Sequence, residues 1–175
     1  MAPTGPQAPV PPAPEPPSPT ARRAGRLALC AVLVTLVAIS GAVVTRPAIP
    51  GWYAGLEKPA FTPPNWAFPV AWTLLYAAMA LALWRLWERP PSPARRRAIL
   101  LFMVQLALNA AWSPVFFGLH ALQAALVLIG LLVVALAATV RAALAVDGPA
   151  AALLLPYLAW VCYAASLNAM IAHLN

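Results

Sequence analysis

Two apolar segments of this sequence each carry three residues at helical spacing: Gln105, Asn109 and Trp112 in one, and Tyr157, Trp160 and Ala164 in the other. Residues three or four positions apart lie on one face of a helix, so each set predicts a single stripe. Aromatic rings beside a few amides suit the binding of a flat, apolar molecule, because the rings pack on its faces and the amides orient it. The same amides could instead only join helices by hydrogen bonds, and the spacing alone favours neither interpretation.

Hydrolytic and metal chemistry is not indicated by the remaining reactive residues. The acidic residues are scattered over the amino-terminal stretch and the connections, so they predict no carboxylate pair: Glu15, Glu57, Glu88 and Asp147. The cysteines and histidines lack the spacing of metal ligands and are interpreted as buried thiols and solvated imidazoles: Cys30, Cys162, His120 and His173. We therefore predict no catalytic residue, no metal site and no covalently bound cofactor.

The composition is that of a membrane protein. The 175 residues are 63% hydrophobic and 9% charged, with a mean hydropathy of +0.80, whereas soluble domains are about 25% charged. A spanning helix needs about 20 apolar residues because the hydrocarbon layer is about 30 Å thick. The net charge of +7 comes mostly from arginines near the ends of apolar segments, which indicates membrane topology and not nucleic-acid binding.

The apolar segments predict an all-α fold, an integral membrane bundle of five transmembrane helices. The helices are expected at about residues 27–45, 66–87, 97–118, 121–141 and 149–174. The first segment follows Arg22 and Arg23 and has features of a cleaved signal, but its length favours a retained helix. Residues 1–24 are rich in proline and are predicted to be a disordered tail, and residues 25–175 form the membrane domain.

Positive charge is shared unequally between the two ends of such a bundle. Nine arginines fall at one end, and the other end has only Arg46 and Lys58. The positive-inside rule then predicts a cytoplasmic amino terminus and places the first loop, residues 51–66, on the outer face. In that orientation Trp66, Trp72, Tyr76, Asn109 and Trp112 lie in the outer half of the bundle, Gln105, Tyr157 and Trp160 lie near the middle, and Ala164 lies above them.

The first loop, GWYAGLEKPAFTPPNW, is stiff and aromatic for a connection. Its prolines fix part of the backbone, so a defined conformation costs little further entropy. We therefore expect the loop to fold down over the outer ends of the helices as a lid, with Pro59, Phe61, Pro63 and Pro64 as its lid residues.

Small residues on the third predicted helix offer a site for helix contact. Ala107 and Ala111 are four positions apart, a small-xxx-small spacing that allows two helices to approach closely. This pattern predicts a homodimer contact through that helix.

Four segments resemble, in order and spacing, those that mark the TspO/MBR family of tryptophan-rich sensory or translocator proteins: WYAGLEKPAFTPPNW, WTLLYAAM, QLALNAAWSPVFFG and PYLAWVCYAASLN. The resemblance covers about residues 25–174. It implies a five-helix bundle, commonly dimeric, in a bacterial-type membrane, with an internal pocket closed by the first loop. Carried over by motif position, the pocket would contain Trp52, Trp72, Asn109, Trp112, Trp160 and Ala164, with Tyr53 and Trp66 near its lid.

The resemblance also implies the ligands, which are porphyrins such as protoporphyrin IX, sterols and benzodiazepine-type compounds. The sequence departs from the animal members of the family at two places that affect the expected ligands. Animal members carry a tryptophan early in the fourth helix where this chain has Ala124, and their sterol-recognition stretch after the fifth helix has no counterpart in NAMIAHLN. Three functions are therefore weighed: a tetrapyrrole-binding sensor or translocator, a light- and oxygen-dependent porphyrin-degrading enzyme, and a small membrane interaction protein.

Overall fold

The computed structural model describes residues 18–175, and within them the chain is helical with no strand. Five α-helices follow one another: α1 Pro19–Ala48, α2 Ala67–Glu88, α3 Pro93–Ser113, α4 Leu122–Leu144 and α5 Gly148–Leu174. Two π-helical turns, Ile49–Tyr53 and Pro114–Gly118, extend α1 and α3. The predicted all-α fold with five long apolar helices is confirmed.

The start of α1 differs from the prediction. The helix begins at Pro19, eight residues before the expected Leu27, because the Ser18 side chain accepts a hydrogen bond from the Ala21 amide at 3.2 Å and Pro19 occupies the first turn. Residues 19–24 therefore belong to α1 and not to a disordered tail. The rest of the predicted tail, residues 1–17, lies outside the described residues.

The end of α1 also lies further along the chain than expected. Proline has no amide hydrogen, so Pro47 and Pro50 each remove a donor from the regular ladder, and the helix continues as a π turn. Trp52 and Tyr53 were predicted to lie in a loop, but they sit at the end of this helix, and the chain stays helical to Gly55. The first loop is thus reduced to residues 56–66.

The five helices form a closed ring in the order α1, α2, α5, α4 and α3, and each helix contacts its two neighbours. Short connections make successive helices antiparallel. Side chains that fill the centre are fully buried: Met79, Leu86, Phe102, Leu136 and Leu154. Of the five helices, α1 has the smallest share of buried residues.

Each helix is long and apolar enough to cross a membrane. Large apolar side chains such as Leu36, Val127 and Val134 are more than half exposed on the outside of the bundle, where hydrocarbon would solvate them. The protein is an integral, multi-pass membrane protein. Ala107 and Ala111 lie exposed on the outer face of α3, and the dimer contact through them stays a prediction.

Two ion-pair clusters join helices at what we call the basic end, which contains the amino termini of α1, α3 and α5. Glu88 pairs with Arg23 and Arg26, each at 3.1 Å. Asp147, whose side chain is fully buried, pairs with Arg85 at 3.0 Å and with Arg89. These ion pairs fix the ends of α1, α2 and α5 relative to one another at this end of the bundle.

Asp147 also caps α5 by accepting a hydrogen bond from the Ala150 amide at 2.8 Å. Burial alone would raise the pKa of this carboxyl. Hydrogen bonds from Arg85, the Ala150 amide and Arg89 outweigh burial and hold the pKa below its ordinary value of 3.8.

Asp147→Asn should lower the free energy of unfolding at neutral pH by about 1–3 kcal/mol, because the amide can still cap α5 but no longer neutralises two guanidinium groups. Since folding lowers the pKa, the stabilisation by Asp147 is fully present above 3.8 and is lost as the pH falls through the native pKa. Thermal unfolding in detergent should therefore show a steeper acid loss for the wild type than for the variant. Equal stability at neutral pH would contradict this account.

The orientation in the membrane stays a prediction, which cysteine labelling can test. Cys162 is exposed and Cys30 is buried, so Cys162→Ser provides the background. We expect a membrane-impermeant maleimide to label Glu57→Cys in intact cells and to label Pro90→Cys, at the basic end, only after permeabilisation. The reverse pattern would place the first loop in the cytoplasm.

Candidate functional site

A cavity of about 390 Å³ lies between the helices at the end opposite the basic end, which we call the loop end. All five helices contribute to its lining. Seven of the residues selected from the sequence border it: Tyr53, Trp72, Tyr76, Asn109, Trp112, Trp160 and Ala164. The stripes on α3 and α5 therefore meet across one internal space, as their spacing suggested.

Aromatic rings that pack on one another form part of the cavity's wall. Trp72 stacks on Tyr76 with ring centroids 5.3 Å apart, and Trp112 stacks on Phe116 at 4.9 Å. On the α5 side, Trp160 meets the edge of Phe68 at 6.0 Å. Rings that already pack on one another present fixed faces to the cavity, so a bound molecule would not have to order them.

The remaining selected residues lie outside the lining. Trp52 stacks on His120 at 4.1 Å, beyond Phe116. Trp66 is 70% exposed, and Tyr157 is completely buried beneath Trp72. Gln105 is also completely buried, and neither atom of its amide has a hydrogen-bond partner within residues 18–175.

Asn109 holds three helices together at the base of the cavity. Its carbonyl oxygen accepts a hydrogen bond from the Tyr76 hydroxyl of α2 at 2.8 Å. Its amide nitrogen donates to the Tyr157 hydroxyl of α5 at 2.9 Å. Asn109 therefore joins helices and borders the cavity at once, and the two interpretations of its spacing are not exclusive.

A second amide, that of Asn168, fixes another part of the cavity wall. Asn168 accepts a hydrogen bond from the Trp112 indole at 3.2 Å and donates to the Leu122 carbonyl at 3.1 Å. This fixes the plane of the Trp112 ring and links α3, α4 and α5. Asn168 is four positions after Ala164, so extending the stripe on α5 by one turn would have included it among the site residues.

The first loop is held by hydrogen bonds to the carboxy-terminal half of α5 and to Asn175, which follows that helix. The Tyr163 hydroxyl donates to the Phe61 carbonyl at 2.7 Å. Asn175 accepts from the Glu57 amide at 3.1 Å and donates to the Glu57 carbonyl at 3.0 Å. Of residues 56–66, Asn65 borders the cavity, whereas the predicted lid residues do not: Pro59, Phe61, Pro63 and Pro64.

No group of three or more His, Cys, Asp or Glu side chains within residues 18–175 could hold a metal ion. The residues that line the cavity offer aromatic rings, amides, hydroxyls and the Arg46 guanidinium. The site thus combines an aromatic wall and fixed amides inside a ring of five helices.

The model of the TspO/MBR family matches residues 29–174, which is most of the chain. The chain belongs to the TspO/MBR family. Its relatives include the tryptophan-rich protein TspO of Archaeoglobus fulgidus, 42% identical over 81% of this chain and 92% of the relative. The tryptophan-rich sensory protein of Cereibacter sphaeroides is 38% identical, covering 83% and 92%. The translocator protein of Sus scrofa is 40% identical, covering 79% and 85%.

This TspO/MBR chain also builds its cavity from α1, from which the sequence patterns selected no residue. Val37, Gly41, Thr45 and Ile49 recur every four residues and all border the cavity. A Cβ on Gly41 would approach the Ser113 hydroxyl oxygen to 3.2 Å, so glycine allows α1 to lie close to α3. In the sequence, this face of α1 is mainly an apolar stripe. In a membrane helix such a stripe can face either a cavity or lipid, so it does not identify the cavity face.

Asn109→Leu should lower the free energy of unfolding by about 1–3 kcal/mol, because two tyrosine hydroxyls lose a buried partner. The same substitution in a Tyr76→Phe, Tyr157→Phe background should cost much less, since no hydroxyl is then left unpaired. Thermal unfolding in detergent measures both differences. An equal cost in the two backgrounds would show that packing, and not hydrogen bonding, makes Asn109 important.

Proposed function

We propose that this protein is a membrane sensor or translocator that binds a flat tetrapyrrole, such as protoporphyrin IX, in the cavity at the loop end. Membership of the TspO/MBR family supports the coarser statement, a membrane sensor or translocator. The aromatic wall of the cavity is the observation that supports tetrapyrrole binding.

The physical case rests on the shape and chemistry of that wall. Trp72, Trp112 and Trp160 border one space, and a planar conjugated ring gains most from stacking on or meeting aromatic rings. The volume of about 390 Å³ falls within the range of about 300–1,000 Å³ for small-molecule sites. A sterol lacks a conjugated ring, so these walls favour a tetrapyrrole over it.

Preorganisation adds to the expected affinity. The Trp112 ring is held by Asn168, and Tyr76 is held by Asn109, so both keep their positions without a ligand. Side chains that are already ordered lose little entropy on binding, a difference of about 0.5–1.5 kcal/mol for each.

Ala164→Leu should weaken protoporphyrin IX binding about tenfold or more, because the larger side chain occupies space that the ring needs. Quenching of tryptophan fluorescence in a titration of the purified protein measures the affinity, with a sterol titrated in parallel. Trp87→Phe, at the basic end, serves as the matched control and should bind like the wild type.

Two results would overturn this proposal. Unchanged affinity of the Ala164→Leu variant would place the porphyrin outside the cavity. Saturable displacement of protoporphyrin IX by the sterol, at lower concentration than porphyrin itself requires, would assign the cavity to sterols.

A further inference from the structure

Arg46, in the last turn of α1, is the only charged residue that borders the cavity within the described part of the chain. The other lining residues are apolar, aromatic or neutral polar. A single guanidinium beside an aromatic wall gives the cavity one cationic point at the loop end, where the bundle has little other charge.

Arg46 makes no ion pair or hydrogen bond through its side chain with any residue in 18–175, unlike Arg23, Arg26, Arg85 and Arg89, which pair with acids. The planar guanidinium offers five donors in a fixed fork that matches a carboxylate. These donors are available to a molecule in the cavity.

Lys58, the other cation at the loop end, is already engaged. Its ammonium donates to the Leu56 carbonyl at 2.9 Å and to the Ala54 carbonyl at 3.2 Å, and it lies 4.8 Å from the centre of the Tyr53 ring. Lys58 does not border the cavity. Charge recognition at this end therefore falls to Arg46.

Two neutral polar groups of the same lining, Thr45 and Asn65, add to this feature. Thr45 precedes Arg46 on α1, and Asn65 is the loop residue that borders the cavity. Neither side chain makes a hydrogen bond within the described residues. A hydroxyl, an amide and a guanidinium that border the same cavity without partners among the described residues offer donors to the oxygens of a carboxylate.

We propose that Arg46 recognises an ionised carboxylate on the cavity's ligand, so that the site selects acids of planar apolar ring systems over their neutral esters. This rests on the proposed function and deepens it by defining the ligand's polar group. The ring contacts the aromatic wall, and its acidic substituent reaches Arg46 at the cavity's edge.

The test compares protoporphyrin IX with its dimethyl ester, which keeps the ring and loses both charges. Wild type, Arg46→Gln and Arg46→Lys are titrated in nanodiscs of zwitterionic lipid, with Arg141→Gln as the matched control for loss of one positive charge at the basic end. Each variant's affinity is divided by that of the wild type for the same compound, which cancels differences in partitioning into lipid.

Arg46→Gln should weaken binding of the acid about fivefold to tenfold and leave that of the ester unchanged, since a hydrogen bond to a charged group is lost only with the acid. The affinity of Arg46→Lys for the acid should lie between those of the wild type and Arg46→Gln, because lysine keeps the charge but lacks the fork of donors. Arg141→Gln should alter neither compound's affinity.

An equal loss for acid and ester would assign Arg46 a structural role and overturn the inference. Unchanged affinity of Arg46→Gln for both compounds would overturn it as well, while the proposed function would stand. Absence of saturable quenching of the wild type by either compound would instead overturn the proposed function, and the inference with it.

Discussion

Polar groups that lie within hydrocarbon must find their partners inside the protein, and this constraint organises the centre of the bundle. Asn109 meets it by accepting from Tyr76 and donating to Tyr157, so α2, α3 and α5 are fixed at one level. Trp72 packs against both tyrosines directly above this amide. The position of one wall of the cavity thus depends on two hydrogen bonds beneath it.

The two ends of the bundle are held by different interactions. Salt bridges of Glu88 and Asp147 with arginines join the helix ends at the basic end. Neutral hydrogen bonds of Asn168 and Asn175, together with stacked rings, join them at the loop end. The cavity lies at the end that is held by the neutral interactions, where a ligand can be accommodated without breaking an ion pair.

The length of the apolar segments was enough to predict the five spans, and helical spacing indicated that Asn109 and Trp112 on α3, and Trp160 and Ala164 on α5, face one space. The spacing succeeded there because an amide such as that of Asn109 is costly in hydrocarbon, so the face of the helix that carries it points inward. It failed for Gln105, which shares the stripe of Asn109 but lies one turn deeper, below the cavity. A stripe gives direction around a helix, whereas the depth at which a cavity ends depends on how neighbouring helices pack.

Arg46 and Trp66 show the second limit of sequence reasoning. Arg46 was interpreted only as a topology signal, because charge near the end of a span has that explanation by default. Trp66 was placed near the lid; it lies in the first loop just before α2, is mostly exposed and does not border the cavity. Neither outcome can be read from composition, because both depend on how the end of α1 and the first loop pack against the other helices.

The two π turns lie side by side at the loop end, where Trp52 and Tyr53 of one pack against Phe116 and Phe117 of the other. A π turn contains one residue more than an α turn, so losing a residue there would restore a regular helix and rotate the next residues by about 100° about its axis. Such a deletion in one turn alone would separate the paired rings. An insertion or deletion in either segment is therefore expected to disturb the other, although the segments are more than 60 residues apart in the chain.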